Sequence, residues 1–116
     1  MQIEIVFRGM DPSISAEMSA RRWVERLRRV YADITKCNVM IEMPHRHHER
    51  HNTFHVRVEL AVPGEVLAVT RDPGEEGAHE DVYVAISDAF RAARRRLQQY
   101  ATMRRRDVKH HEARAS

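Results

Sequence analysis

The chain has 116 residues, 42% of them hydrophobic, and a formal net charge of +3. This length suits one domain, and the hydrophobic fraction excludes an intrinsically disordered chain. The one cysteine, Cys37, excludes an internal disulfide, and no apolar run reaches the roughly 18 residues of a membrane-spanning helix. We therefore expect a cytoplasmic protein that has no membrane partner.

The first part of the chain predicts a strand followed by a helix. Apolar and polar residues alternate over residues 2–8, which is the period of a strand. After a segment rich in turn residues, Ser13 or Ser15 is suited to cap a helix, and Glu17 would lie in its first turn. Apolar residues at helical spacing over residues 20–34 form the stripe by which this helix would pack on a core.

The rest of the chain predicts a sheet and a second helix. Alternating residues indicate three more strands, over residues 37–43, 54–62 and 65–70. Pro63-Gly64 is typical of the tight turn between the last two strands, and Asp81 or a near neighbour would cap the helix. The core face of that helix is predicted to consist of Tyr83, Ile86, Phe90, Ala93, Leu97 and Ala101.

This order of elements predicts an α+β fold, a two-layer sandwich in the order β-α-β-β-β-α. A four-stranded sheet would carry both helices on one face, because each apolar stripe must be buried against another element. Residues 1–103 would form the domain. The apolar period stops after Met103, so we expect residues 104–116 to form a basic, flexible C-terminal tail.

Arginine is concentrated in the two predicted helices, and no acidic residue lies between Arg91 and Arg106. Its planar guanidinium can donate two hydrogen bonds to one phosphate, so outward-facing rows of arginine favour RNA binding. A solvated basic face is the simpler interpretation of any single run. The candidate RNA-binding residues are Arg21, Arg22, Arg26, Arg28, Arg29, Arg91, Arg94, Arg95, Arg104 and Arg105.

Two segments carry a resemblance to a known family. The run Glu80-Asp81-Val82-Tyr83-Val84-Ala85-Ile86, followed by Arg95 and Leu97, resembles the last helix of short-form members of the hibernation-promoting factor and ribosome-associated inhibitor A family. Residues 1–5 resemble the first strand of that family, and the likeness extends over residues 1–103. It implies a fold similar to a double-stranded-RNA-binding domain with one added strand.

The resemblance also implies a function. Members of this family bind the ribosomal RNA of the small ribosomal subunit, in the decoding and tRNA-binding region. They do so through basic side chains on both helices. They block initiation and store inactive ribosomes, and some promote the pairing of ribosomes into dimers while others prevent it. The family often has lysines where this chain has Ala92 and Gln99, so no contact is carried over at those two positions.

A histidine-rich loop lies between the second and third predicted strands and resembles a variant of the family's loop. His47, His48 and His51 are candidates for an RNA-contacting loop whose charge rises as the pH falls. Imidazoles also bind zinc and copper, so a metal-binding protein built on this loop is an alternative. Arg46 and Arg50 disfavour a cation there, and we predict no metal, cofactor or small-molecule substrate.

Other interpretations concern chemistry and the core. A general structured-RNA-binding module would share the helices and their charge.

His79-Glu80-Asp81 could suggest acid-base catalysis, but acids at a helix start are explained by the helix dipole, so we predict that the protein is not an enzyme. Cys37, Trp23, Tyr31 and Tyr83 are expected to be core residues.

Overall fold

The computed structural model of the protein describes residues 1–43, 53–71 and 81–115. The predicted order β-α-β-β-β-α is confirmed. The elements are β1 (Gln2–Arg8), α1 (Ile14–Val30), β2 (Lys36–Glu42), β3 (His55–Val62), β4 (Glu65–Arg71) and α2 (Val82–Ala115).

The four strands form one mixed sheet in the order β1-β2-β3-β4. β1 and β2 are parallel and are connected through α1, whereas β2, β3 and β4 form an antiparallel meander. Two glycines with positive φ make the tight connections, Gly9 (φ 71°) after β1 and Gly64 (φ 88°) between β3 and β4. The two-layer sandwich predicted from the sequence is therefore the observed fold.

One face of the sheet and both helices enclose a single core. Val39, Ile41 and Val58 on the strands and Leu27 and Phe90 on the helices are each no more than 1% exposed. Burying such a side chain contributes about 1.5–3 kcal/mol, so this layer supplies most of the driving force for folding. The opposite face of the sheet carries the alternate, mostly polar side chains, and neither α1 nor α2 packs on it.

Cys37 lies on the core side of β2 and is fully buried, as predicted. Burial raises the pKa of its thiol to about 12, because the thiolate would lose its hydration in the apolar interior. Cys37 therefore acts as a small hydrophobic side chain rather than as a nucleophile.

Side chains cap both helices at the positions predicted from the sequence. The Ser13 hydroxyl accepts a hydrogen bond from the Ala16 N–H at 3.2 Å, and the Asp81 carboxylate accepts one from the Tyr83 N–H at 2.8 Å. Each cap satisfies a backbone donor that has no partner within the helix. The helix starts are thus fixed before any contact between the helices is considered.

The end of α2 differs from the prediction. The helix continues without a break through the expected boundary at residue 103 and ends at Ala115, so its 34 residues span about 51 Å. Arg, Ala, Lys and Glu have high intrinsic helix propensity, and no Gly or Pro interrupts this segment, so the backbone stays helical after the apolar period stops. Among the described residues, neither helix combines the length and apolar character needed to cross a membrane.

Candidate nucleic-acid interface

The helices α1 and α2 lie side by side and run in the same direction. Three contacts join them in the same order along both helices: Ser15 with Tyr83, Trp23 with Phe90, and Tyr31 with Tyr100. Because the order is shared, outward residues at corresponding levels of the two helices are neighbours across the helix layer. The two basic stretches of the sequence therefore form one surface.

Trp23 lies at the junction of the two helices. Its ring stacks on Phe90 of α2, with 6.0 Å between centroids and 14° between the ring planes. The guanidinium carbon of Arg26 lies 4.8 Å from the Trp23 ring centroid, and that of Arg91 lies 6.0 Å from it. Both are cation–π contacts, worth about 0.5–1 kcal/mol each at exposed sites. One arginine from each helix thus converges on one indole ring.

Six exposed arginines line the junction of the two helices. Helical spacing places one of them on the flank of α1 that also carries Trp23, two on the outward crest of α1, two on the facing flank of α2, and one on the outward crest of α2. We call this set the inter-helix arginine group: Arg22, Arg26, Arg29, Arg91, Arg94 and Arg95. All six were predicted to bind RNA.

Arginines on the outer flanks of the helices are paired with acids instead. The pairs are Arg21 with Glu17 (3.1 Å), Arg28 with Glu25, and Arg96 with Glu65 of β4 (3.3 Å). The hydrogen bond from Arg28 holds the pKa of the Glu25 carboxyl below its usual value. These acids reduce the positive charge of the outer flanks. Two acids also border the inter-helix arginine group: Glu25 interacts with Arg29, and Asp88 lies one helical turn before Arg91. Arg21 and Arg28 were predicted to bind RNA, and they lie on the flank away from α2.

The remaining candidates lie elsewhere. Arg104 and Arg105 are exposed on α2, about 20 Å along the helix from Arg91, and Arg104 lies near Tyr31 at the end of α1. Arg105 donates a hydrogen bond to the Thr102 hydroxyl at 3.4 Å. The histidine candidates His47, His48 and His51 lie outside the described residues. Within the residues that are described, no three His, Cys, Asp or Glu side chains are grouped to hold a metal ion.

The aromatic residues depart from the prediction in an informative way. Tyr83 is 45% exposed, and its hydroxyl lies 2.6 Å from that of Ser15, so its assignment to the core was wrong. The preceding residue, Val82, packs against the core instead. Tyr31 packs against the core as expected, and burial, together with its contact to Tyr100, raises its pKa. Trp23 is only half-buried, and sequence reasoning missed its two arginine neighbours.

This arrangement is suited to binding a polyanion. Two rigid helices fix the guanidinium groups relative to one another, which limits the entropy lost when they engage phosphates. Neutralising phosphates releases counterions, so binding through such a surface is favourable and strongly dependent on salt. Structured RNA is recognised mainly through its backbone and shape, which is the kind of contact that an arginine surface provides.

Comparisons with known proteins identify the family and the fold of the chain. Residues 3–105 match the family model described as sigma 54 modulation protein / S30EA ribosomal protein. No curated protein matches the sequence. A ribosomal subunit interface protein from Coxiella burnetii is similar in structure, with a TM-score of 0.71 and 14% identity over 88% of this chain and 99% of that protein. The Protein Y N-terminal domain of Thermus thermophilus gives a TM-score of 0.68 at 15% identity, over 86% of this chain and 99% of that domain. Likeness at these identities establishes the fold.

Proposed function

Because the chain belongs to the sigma 54 modulation protein / S30EA ribosomal protein family, we propose that it binds the small ribosomal subunit and holds idle ribosomes out of translation. Family membership confirms the resemblance found in the first strand and around Tyr83. In this proposal the protein acts in the cytoplasm by occupying a site on the ribosome, and it carries out no chemical step. It contacts ribosomal RNA in the decoding and tRNA-binding region, where it excludes the ligands that initiation requires.

The inter-helix arginine group is the observation that carries the proposal. Its six members are exposed, come from both helices and share one side of the molecule. The arginines of the outer flanks are largely neutralised by their carboxylate partners. A surface that gathers exposed guanidinium groups from two helices in this way matches the phosphate backbone of a structured RNA better than it matches any uncharged ligand.

Co-sedimentation with purified small subunits over a range of salt concentrations tests the proposal. If about six phosphates are engaged, log affinity should fall with log salt with a slope of about −4 to −5. The variant Arg91→Glu/Arg95→Glu should lose binding by at least about a hundredfold while remaining folded by circular dichroism, because two charge-assisted contacts become repulsive.

The matched control is Arg21→Glu/Arg28→Glu. It makes the same change in net charge, but on the flank away from α2, so we expect a loss of less than about threefold. Equal losses in the two double variants would mean that net charge alone governs binding, and the inter-helix arginine group would then not be the site. No binding by the wild-type protein would reject the ribosomal proposal as a whole.

A general RNA-binding module is the second candidate function. Contacts made through guanidinium groups and phosphates carry no sequence preference, so the same surface would serve any structured RNA. The two candidates differ in the affinity ratio between intact small subunits and random duplex RNA at one salt concentration. A ratio near one would favour the general module, and a preference of about a hundredfold or more would favour the ribosomal role.

A further inference from the structure

Arg26 and Arg91 belong to different helices, yet the guanidinium groups of both lie beside the same indole ring, that of Trp23. Each of their guanidinium carbons is within 6.0 Å of the Trp23 centroid. Both side chains are long enough to extend into water instead. An attraction to the ring accounts for their common position beside it.

Trp23 provides that attraction, and α2 fixes the position of Trp23. The electron-rich face of an indole ring is the best aromatic partner for a guanidinium. Phe90 is fully buried in α2 and stacks on the ring, which fixes the ring at the boundary between the helices. A tryptophan that served only the core would have apolar neighbours, whereas this one is half-buried and is bordered by two cations.

We propose that Trp23 is a positioning residue, which holds Arg26 and Arg91 together as a two-arginine clamp for the phosphate backbone of RNA. This inference rests on the proposed function and adds to it a specific pair of contacts and the residue that organises them. Each guanidinium retains N–H groups that can donate to phosphate oxygens while its plane rests on the ring. The clamp exists only when α1 and α2 are docked, since each helix supplies one arm.

Pre-organisation is the physical advantage of the clamp. A free arginine side chain loses rotamer freedom when it binds a phosphate, and this loss weakens the contact. Arginines already held against Trp23 have lost part of that freedom on folding. Trp23 should therefore increase affinity without contacting RNA, and its effect should depend on the presence of the two arginines.

A double-mutant cycle measured with purified small subunits at fixed salt tests this dependence. Trp23→Leu, which keeps apolar bulk and removes the ring, should weaken binding about fivefold to tenfold. Arg26→Gln/Arg91→Gln should weaken it by about tenfold or more. Adding Trp23→Leu to that double variant should cost less than about twofold more, because the groups on which Trp23 acts are gone. Trp23→Phe, which retains a ring, should stay within about threefold of wild type.

The outcomes separate this inference from the proposed function. Additive losses in the cycle would overturn it, because a direct RNA contact or a merely structural role of Trp23 would weaken binding whether or not the arginines are present. Unchanged affinity of a folded Trp23→Leu variant would also overturn it. If Trp23→Leu does not fold, the same comparison is made with Trp23→Met, which also removes the ring and keeps apolar bulk. Failure of the wild-type protein to bind small subunits would instead reject the proposed function.

Discussion

The outward surface of the helix layer and the open face of the sheet both carry arginines, but they differ in how that charge is neutralised. On the sheet, three bases each lie beside an acid of the same or a neighbouring strand: Arg57 with Glu59 (2.8 Å), Arg8 with Glu42 (3.8 Å) and Lys36 with Glu4 (4.0 Å). On the helix layer, acids accompany the arginines of the outer flanks and two arginines of the junction gather on an aromatic ring. The comparison teaches that the two surfaces differ less in their number of arginines than in what lies beside each guanidinium group.

Reversing charge on each surface in turn is the strongest way to break this comparison. We expect Arg22→Glu/Arg94→Glu, with one change on each helix, to reduce small-subunit binding at least about a hundredfold, because two phosphate contacts become repulsive. Arg8→Glu/Arg57→Glu on the sheet makes the same change in net charge and should reduce binding less than about threefold. Co-sedimentation at one salt concentration measures both. A large loss from the sheet variant would move the site to the open face.

Substitutions near the sheet should change the free energy of unfolding, whereas substitutions on the helix surface should change small-subunit binding. Gly9 has a positive φ, and a Cβ there would lie 2.4 Å from the carbonyl oxygen of Met43. Gly9→Ala should therefore lower the free energy of unfolding by about 2–4 kcal/mol, through the unfavourable backbone conformation and the clash with backbone. Urea unfolding measures the change, and the folded variant should bind small subunits with wild-type affinity.

Gly64→Ala is the matched control. Gly64 has φ of 88°, but a Cβ there would meet nothing within 4 Å. Only the conformational cost applies, so we expect a loss of about 1 kcal/mol. Equal losses at the two glycines would show that the close approach of Met43 to Gly9 contributes nothing.

The contact that ties α2 to the sheet should have a smaller effect. The Tyr100 hydroxyl donates a hydrogen bond to the carbonyl oxygen of Pro63 at 2.5 Å, next to the turn between β3 and β4. Tyr100→Phe removes this bond and should lower the free energy of unfolding by about 1 kcal/mol, since the aromatic packing on Tyr31 is retained. Thermal and urea unfolding measure the loss. Weakened RNA binding at unchanged helix content would contradict a purely structural role for this bond.

Near neutral pH the smallest expected effect is that of Cys37, on the buried face of the sheet, because its contribution changes only at high pH. The folded-state pKa of Cys37, about 12, is above the value of 9.0 for a thiol in the unfolded chain, so between these values the folded state retains a proton that the unfolded state loses. The stabilising contribution is complete below pH 9.0 and declines as the pH rises from there towards 12. Cys37→Ala should flatten this decline when unfolding is measured across that range. If the free energy of unfolding falls equally steeply with pH in Cys37→Ala and in the wild type, other titrating groups cause the loss of stability at high pH.

Local patterns accounted for much of the fold. The alternation in residues 2–8 and 54–62 predicted strands that the structure contains, and Ser13 and Asp81 cap the helices as their side-chain chemistry suggests. Periodicity was insufficient where two neighbouring residues could both fit an apolar stripe, as with Val82 and Tyr83. It also failed at the end of α2, because a polar sequence with high helix propensity continues a helix that no core requires.

The candidate site was only partly predictable for a different reason. Spacing on each helix placed the arginines outward, but the register between α1 and α2 depends on how the helices dock. That register brings Arg26 and Arg91 to one ring and leaves Arg21 on the flank away from α2. The acids that pair with arginine follow partly from sequence, since Glu17 and Arg21 have the i, i+4 spacing of a helical ion pair. The pairing of Arg96 with Glu65 depends on the tertiary fold.

The position of Trp23 has a practical consequence. It is the only tryptophan in the chain, and it lies amid the arginines that are proposed to engage RNA. Its ultraviolet emission is therefore a built-in optical signal for the event of interest, with no attached dye to perturb the surface. A titration followed by tryptophan fluorescence would measure the bound fraction of the protein, and stopped-flow fluorescence would measure the association rate.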